Sequence, residues 1–462
     1  MIEKRFGKQH ARSVGYFADA FAVGMDSANT SASASLKPRV PAASRLCHRG
    51  LSTGGEGCGR TKRRPWSPLE GRPGQGVKMR AVHMRREEDP GPNGSFASKP
   101  VLVFWETTRA CPLNCVHCRA SAISDPLPGE LSKDEGLRLI DEVARFGKPH
   151  PTIIFTGGDP LKRRDLFDLM RHAADLGVGF AASPAVSDAL TTESLERLKA
   201  SGAASISISL DGANASTHDF VRRRSGTFAR TVWAITKAAE LGLHVQVNTV
   251  VMRRNFRELP GIFHLIRGLG VKTWEVFFLV KVGRGTEVED VGPEDYEDAC
   301  NFLYDASRYG VTVRTVEAPF IRRVAAERAR SQPAWRGEGY LRMASDLLAL
   351  EGTPTNDSSS IRARGTLDGD GIVFVAYDGT IHPGGLLPVS LGNIRSDSLV
   401  DVYREHELLK QIRNRDLRGS CGTCGYRTVC GGSRARAFAH NGDPLETDPA
   451  CLLAVRRASS AG

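Results

Sequence analysis

One pattern returns six or seven times between about residues 99 and 316. A short run rich in β-branched and aromatic residues leads into a loop, then an amphipathic segment of helical period, then a glycine. The runs are "VLVFWETT", "TIIFTGG", "VGFAAS", "SISISLDG", "HVQVNTVV", "TWEVFFLV" and "VTVRTV". The glycines Gly147, Gly177, Gly202, Gly242, Gly270 and Gly310 stand where a helix C-terminus turns left-handed. In "SKDEGLRLIDEVARFG", Ser132 and Glu135 form a capping box. Leu137, Ile140, Val143 and Ala144 then share one helix face. Strands alternating with helices at this spacing imply parallel pairing through right-handed crossovers. The expected fold is therefore α/β, a partial (β/α)6-type TIM barrel. A doubly wound open sheet is the alternative.

The flanking segments differ. Residues 1–95 are rich in Ser, Gly, Arg and Pro and show no sustained periodicity, which reads as a disordered tail. Met79 or Met84 would serve as an alternative start. Most of the formal net charge of +11 falls in this tail, so the basic pI is no argument for nucleic-acid binding. Residues 317–330 read as a basic helix and 331–368, with "GTPTNDSSS", as a mobile linker. From 369 a smaller module opens on a hairpin, "GIVFVAYDGTIHPGG", turning at Asp378–Gly379. The expected regions are thus a tail (1–95), a core (96–316), a helix and linker (317–368) and a cysteine-rich module (369–462). No run of about 18 apolar residues exists, so no membrane span is expected. The N-terminus lacks a continuous apolar h-region and a cleavage site, so secretion is not expected and a cytoplasmic location is the expectation.

Seven of the ten cysteines fall into two tight groups. In a chain read as unexported, such crowding points to metal sites rather than disulfides. Cys47 and Cys58 lie in the tail, and Cys300 reads as a buried helix residue. The first group, "TTRACPLNCVHCRAS", places Cys111, Cys115 and Cys118 just past the first strand, at the mouth where barrel active sites collect. Three thiolates hold three irons of a [4Fe–4S] cube and leave the fourth iron open to a small chelating ligand. A zinc site completed by His117 is the metal alternative. The second group, Cys421, Cys424, Cys430 and Cys451, has four thiolates, enough for a complete cluster or for zinc.

The CxxxCxxC spacing with His117 before its last cysteine resembles the radical S-adenosylmethionine (SAM) family. In that family the open iron chelates the methionine part of SAM, and one electron from the cluster cleaves SAM to a 5′-deoxyadenosyl radical that abstracts a substrate hydrogen. The resemblance implies SAM contacts at Gly157, Gly158 and Asp159 of "FTGGDP", where Asp159 replaces the usual Glu. It implies further contacts at Ser209 and Asp211 of "SISISLDG" and at Asn248 of "VQVNTVV". The "WEVFFLV" strand is expected to line the adenine site through its backbone. The catalytic residue itself stays unassigned.

The C-terminal stretch from Cys421 to Cys451 resembles the SPASM/Twitch modules that bear auxiliary [4Fe–4S] clusters. Gly384 and Ser433 depart from the full seven-cysteine form, leaving ligands for one auxiliary cluster. Arg434, Arg436 and His440 read either as contacts to an anionic substrate or as solvated helix residues. The pattern "CGG-RARA-A--GDPL--DP-C" is similar to the branch that modifies haem and haem d1 precursors, implying a tetrapyrrole substrate. The alternatives are a peptide-modifying maturase, for which residues 1–95 offer no folded recognition domain, and a non-catalytic iron–sulfur or zinc protein. An electron donor such as flavodoxin or ferredoxin is also implied.

Overall fold

The structure, a computed structural model, describes residues 96–330, 335–361 and 365–461. The expectations for residues 1–95, with Cys47 and Cys58, lie outside these. Seven parallel strands follow one another: β1 (Leu102–Glu106), β2 (Thr152–Thr156), β3 (Phe180–Ala182), β4 (Ile206–Ser209), β5 (Val245–Val251), β6 (Thr273–Phe278) and β7 (Thr312–Val316). Between them run α1 (Lys133–Arg145), α2 (Leu166–Asp175), α3 (Thr192–Ala200), α4 (Ala215–Arg222), α5 (Thr227–Glu240), α6 (Leu259–Gly268) and α7 (Pro293–Ala306). The chain continues through α8 (Ile321–Ala329), α9 (Glu338–Glu351), β8 (Leu367–Asp368), β9 (Gly371–Val375), β10 (Thr380–His382) and β11 (Gly392–Asn393). It ends with α10 (Leu399–Glu405), α11 (Glu407–Asn414), α12 (Gly419–Gly422), α13 (Arg434–Asn441) and α14 (Leu452–Ala461).

The strands stand in the order β1 to β7 without reversal. A doubly wound sheet reverses strand order at a switch point. Sequential winding instead rolls the sheet into a partial barrel, as the alternation predicts. All six glycines named above have positive φ. The capping box is present, with Glu135 N–H donating to Ser132 Oγ and Ser132 N–H to Glu135 Oε2 (2.7 Å). On α1 the buried set is Gly136, Leu139, Ile140 and Val143, with Leu137 and Ala144 at its margin. Gly136 lies under the Trp105 ring, where a Cβ would come within 2.7 Å of the indole. Val103 and Trp105 are fully buried toward these helices. Strand alternation therefore turns Phe104 and Glu106 to the opposite, concave face.

Two features differ from the sequence reading. Residues 335–361 are not loop throughout, since α9 packs on α6 and α7 and buries Tyr340, Met343 and Leu347. Their spacing is helical, but the flanking "GTPTNDSSS" masks it in composition. The segment from 369 also adds to the barrel sheet. Strand β9 pairs parallel with β1, and β10 and β11 continue antiparallel beyond it. The β9–β10 hairpin turns at Asp378–Gly379 as expected.

Tyr403 of α10 fastens this extension. Its hydroxyl donates to the Phe96 carbonyl (2.9 Å) and accepts from Gly371 N–H (3.0 Å). Tyr403→Phe strands two buried backbone groups and is expected to cost about 1–3 kcal/mol, read from denaturant unfolding. An unchanged midpoint would show that Tyr403 does not fasten the strand.

Candidate functional site

Three loops at the carboxyl ends of β1, β2 and β4 build the site. Thr107, following β1, is tied to β2 through its N–H and hydroxyl, both donating to Thr156 O (2.8 and 3.0 Å). Glu130 Oε1 accepts from Thr108 Oγ1 (2.8 Å), Arg109 N–H (3.0 Å) and Leu127 N–H (3.2 Å), so one carboxylate organises the loop. The loop closes where Cys111 N–H meets Ile123 O (2.6 Å). Cys111, Cys115 and Cys118 form one cluster with Leu113, Ala122 and Ala185, and all three are free thiols.

Each of the three sulfurs receives a donor. Leu113 N–H points to Cys111 Sγ and Ala122 N–H to Cys118 Sγ, both at 3.4 Å, and the Arg222 guanidinium to Cys115 Sγ at 3.6 Å. N–H donors of this kind stabilise thiolate ligands and tune a cluster's potential. Burial, with the charges of Asp159, Cys115 and Cys118, pushes the Cys111 thiol up to about 12, and coordination to a metal would remove its proton. Three convergent, donor-supplied sulfurs fit a three-thiolate iron–sulfur cube. Among the described residues, no group of three or more His, Cys, Asp or Glu side chains stands as a site for a single metal ion.

The glycine loop after β2 docks directly on the cysteine loop. Gly158 N–H donates to Thr108 O (2.7 Å) and Asp159 N–H to Ala110 O (2.8 Å). A Cβ at Gly157 would collide with Thr108 O, and one at Gly158 would lie 2.5 Å from Ala110 O. The sequence motivates these glycines by ligand approach, whereas here it is the cysteine loop that approaches them. Asp159 is fully buried, and its carboxylate accepts from Ser187 Oγ (2.6 Å) and Leu161 N–H (3.2 Å). Burial raises its pKa, against the pull of these donors.

After β4, Asp211 is also fully buried. Its carboxylate accepts from Val250 N–H (2.7 Å) and pairs with Arg222, with His117 Nε2 at 3.8 Å. Burial would raise its pKa, yet Arg222, His117 and the Val250 N–H together hold it below the usual value. Arg222 thus links Asp211 to Cys115. Ser209 and Asn248 are register neighbours on β4 and β5. Asn248 Oδ1 accepts from Gln246 Nε2 (2.9 Å), which also reaches Glu275 Oε2 (2.9 Å), and Ser183 bonds Ser207 (2.7 Å). These half-buried side chains form a polar layer on the strand face opposite Ile206, Ile208, Val245 and Val247.

The loop after β6 reaches the first cysteine loop and the C-terminal region. Arg284 donates from its backbone to Cys118 O (3.0 Å), from Nε to Cys115 O (2.9 Å) and from Nη1 to Ala122 O (2.9 Å). Farther up the same loop, Val280 packs against Leu387, Ile412, Ala435 and Leu445. Arg222, Arg284, Ser187 and Glu130 escape the sequence reading. Arg222 opens the run "RRR", where nothing distinguishes the inward-facing member from its solvated neighbours.

Cys421, Cys424, Cys430 and Cys451 line one pocket with Phe320, Tyr426 and Gly432. Backbone N–H groups of Asp448, Tyr426 and Gly432 point at Cys421, Cys424 and Cys430, each at 3.4 Å. Burial pushes the Cys430 and Cys451 thiols up to about 12 and about 11. Cys300 is a core residue of α7.

Arg434 and Arg436 are buried rather than solvated. Arg434 donates to Glu446 O (2.7 Å) and Pro444 O (2.9 Å), with Cys421 Sγ at 3.6 Å. Arg436 pairs with Asp448 (3.2 Å), donates to Glu317 O (2.8 Å) and lies over the Tyr296 ring. Their alternation with alanine suggests a helix surface, but α13 is buried over its first turn. His440 is exposed.

A model of the radical SAM superfamily matches residues 105–266. The chain is 36% identical over 360 residues to an AdoMet-dependent heme synthase of Methanosarcina barkeri, covering 78% of this chain and 98% of the relative. It is 35% identical over 360 residues to an AdoMet-dependent heme synthase of Nitratidesulfovibrio vulgaris, covering 77% and 93%. In fold it is similar to SuiB of Streptococcus suis, solved bound to S-adenosylmethionine, with a TM-score of 0.55 at 14% identity, covering 77% of this chain and 78% of that one.

Replacing Arg222 by Met leaves Asp211 buried and unpaired, which is expected to cost about 3–5 kcal/mol. Arg222→Lys retains the charge but not the fork and should lie between. Thermal unfolding together with retained acid-labile sulfide reads both, and a wild-type profile in Arg222→Met would dissociate Arg222 from the site. Gly158→Ala forces Ala110 aside and should destabilise by about 1–3 kcal/mol, with iron lost from the reconstituted protein in parallel.

Proposed function

Because the chain belongs to the radical SAM superfamily, we propose that it is a tetrapyrrole-modifying enzyme of the haem branch that removes carboxyl groups from ring side chains. Membership makes it an enzyme working with a [4Fe–4S] cluster and SAM. When bound, these supply an electron and a 5′-deoxyadenosyl radical that takes one hydrogen atom from the substrate.

The observation that supports the substrate class is coverage: heme synthases match over 98% and 93% of their own length here. For a propionate side chain the balance is simple. Loss of a β-hydrogen atom leaves a carbon radical. Cleavage of the adjacent carbon–carboxylate bond then forms the vinyl group, releases CO₂ and leaves one electron to be accepted.

In this reading Cys111, Cys115 and Cys118 hold the radical-forming cluster, and the Arg222 guanidinium offsets part of its negative charge. Gly157, Gly158 and Asp159 position the cysteine loop and the SAM beside it. Ser209 ends β4, Asp211 follows it and Asn248 stands beside Ser209 on β5, where a nucleoside ribose would meet hydroxyl and amide groups. Cys421, Cys424, Cys430 and Cys451 hold one auxiliary [4Fe–4S] cluster, the acceptor for the departing electron. The loop after β6 contacts the first cysteine loop through Arg284 and the C-terminal region through Val280, and so lies between the two.

Anaerobic reconstitution should yield about eight irons per chain and 5′-deoxyadenosine on reduction with SAM. Iron coproporphyrin should then lose one CO₂ and two hydrogens per converted side chain, read by mass spectrometry. Cys111→Ala is expected to abolish SAM cleavage. Cys424→Ala is expected to spare SAM cleavage in part while stopping porphyrin conversion. Two bound zinc ions without SAM cleavage would end the reading, and conversion of a peptide in place of a porphyrin would redirect it.

A further inference from the structure

We propose that His382 is an axial ligand to the iron of the tetrapyrrole substrate. This rests on the tetrapyrrole reading and deepens it.

Three observations converge on this residue. The first is its place. His382 of β10 stands opposite Phe374 of β9, which is in register with Phe104 of β1. Directly opposed residues project to the same side of a sheet, so His382 shares the concave face with Phe374, Phe104 and Glu106. That is the face onto which the cysteine loop folds, for Arg119, adjacent to Cys118, pairs with Glu106 (3.2 Å).

The second is its tautomer. His382 Nδ1 lies 3.0 Å from Val389 O, and a carbonyl only accepts, so Nδ1 carries the hydrogen. In the neutral ring Nε2 then has a free lone pair. Nε2 makes no hydrogen bond with any described residue. Burial lowers the imidazole's pKa, which keeps the ring neutral near pH 7. A neutral imidazole whose other nitrogen is bonded to a carbonyl is the usual form of a histidine that ligates haem iron.

The third is the surroundings. The Phe374 ring lies 6.0 Å from the imidazole, centroid to centroid, and the Arg119 guanidinium sits over that ring at 4.4 Å. Pro383 and then Gly384 and Gly385 follow. A Cβ on Gly384 would strike the Asp368 carboxylate, and one on Gly385 would press on the Phe374 ring at 3.2 Å. At these two positions the turn therefore places no side chain beside the imidazole. An aromatic wall, a cation and an uncovered nitrogen lone pair suit a flat, carboxylate-bearing iron macrocycle. A peptide asks for none of this grouping.

The test uses the full chain, reconstituted anaerobically and titrated with iron(III) coproporphyrin III and with its metal-free form. Difference absorption and electron paramagnetic resonance report the iron's ligands. The wild type should bind the iron form about ten-fold or more tightly than the metal-free form, with a histidine-ligated signature. His382→Ala should lose that signature and bind both forms equally, and added imidazole should restore it. His382→Met should replace it by a thioether signature. His382→Gln retains a donor for Val389 O and serves should the alanine variant not fold. Identical iron spectra and affinities in wild type and variants overturn the proposal and leave the tetrapyrrole reading intact. A wild type that binds neither porphyrin overturns both.

Discussion

A single buried guanidinium joins the halves of the site. Arg222 ends α4 with Asp211 on one side and the Cys115 sulfur on the other. Neither partner tolerates this position alone. The carboxylate is fully buried, and a thiolate there would carry uncompensated charge. A buried ion pair is weak evidence for stability, since desolvation offsets much of its attraction. Its effect here is positional: the β4 loop and the cysteine loop cannot separate without exposing a charge to the apolar interior. A site that directs a reactive radical at one hydrogen needs that kind of fixity.

Backbone contact reinforces it. The glycine loop lies so close to the cysteine loop that carbonyl oxygens occupy the places of two missing Cβ atoms. Rigid loop-on-loop docking leaves hydrogen-bonding groups paired where side chains would have spaced them apart. Arg284 does similar service from the β6 side, donating to two carbonyls of the cysteine loop through its side chain and to a third through its backbone. The cysteines are thereby held by three neighbouring strand ends rather than by their own loop alone.

The C-terminal region belongs to the same sheet. Strand β9 lies beside β1, so the strand that leads into Cys111, Cys115 and Cys118 is central and not an edge. This has a consequence for function. The hairpin bearing His382 and the loop bearing Cys118 and Arg119 are presented by neighbouring strands, and the substrate surface proposed above is made jointly by core and extension. Arg434 and Arg436 contribute differently from what their charge suggests. Both are consumed in holding the second cysteine group, with Arg436 also pinned to the barrel end at Glu317.

Local rules made much of this legible in advance. Six glycines, a capping box and seven β-rich runs depend on backbone sterics and nearest neighbours, and each stands where the spacing put it. The cysteine spacings were legible too, because a cluster needs its ligands a few residues apart. The polar partners were not. Which arginine of "RRR" turns inward, and that carbonyls of the cysteine loop lie against Gly157 and Gly158, depend on groups distant in sequence. So does the pairing of β9 with β1, which brings residues 371–375 beside 102–106. A sequence records periodicity and short-range chemistry. Only the closed sheet decides which charges end buried together, because burial is a property of the packed whole.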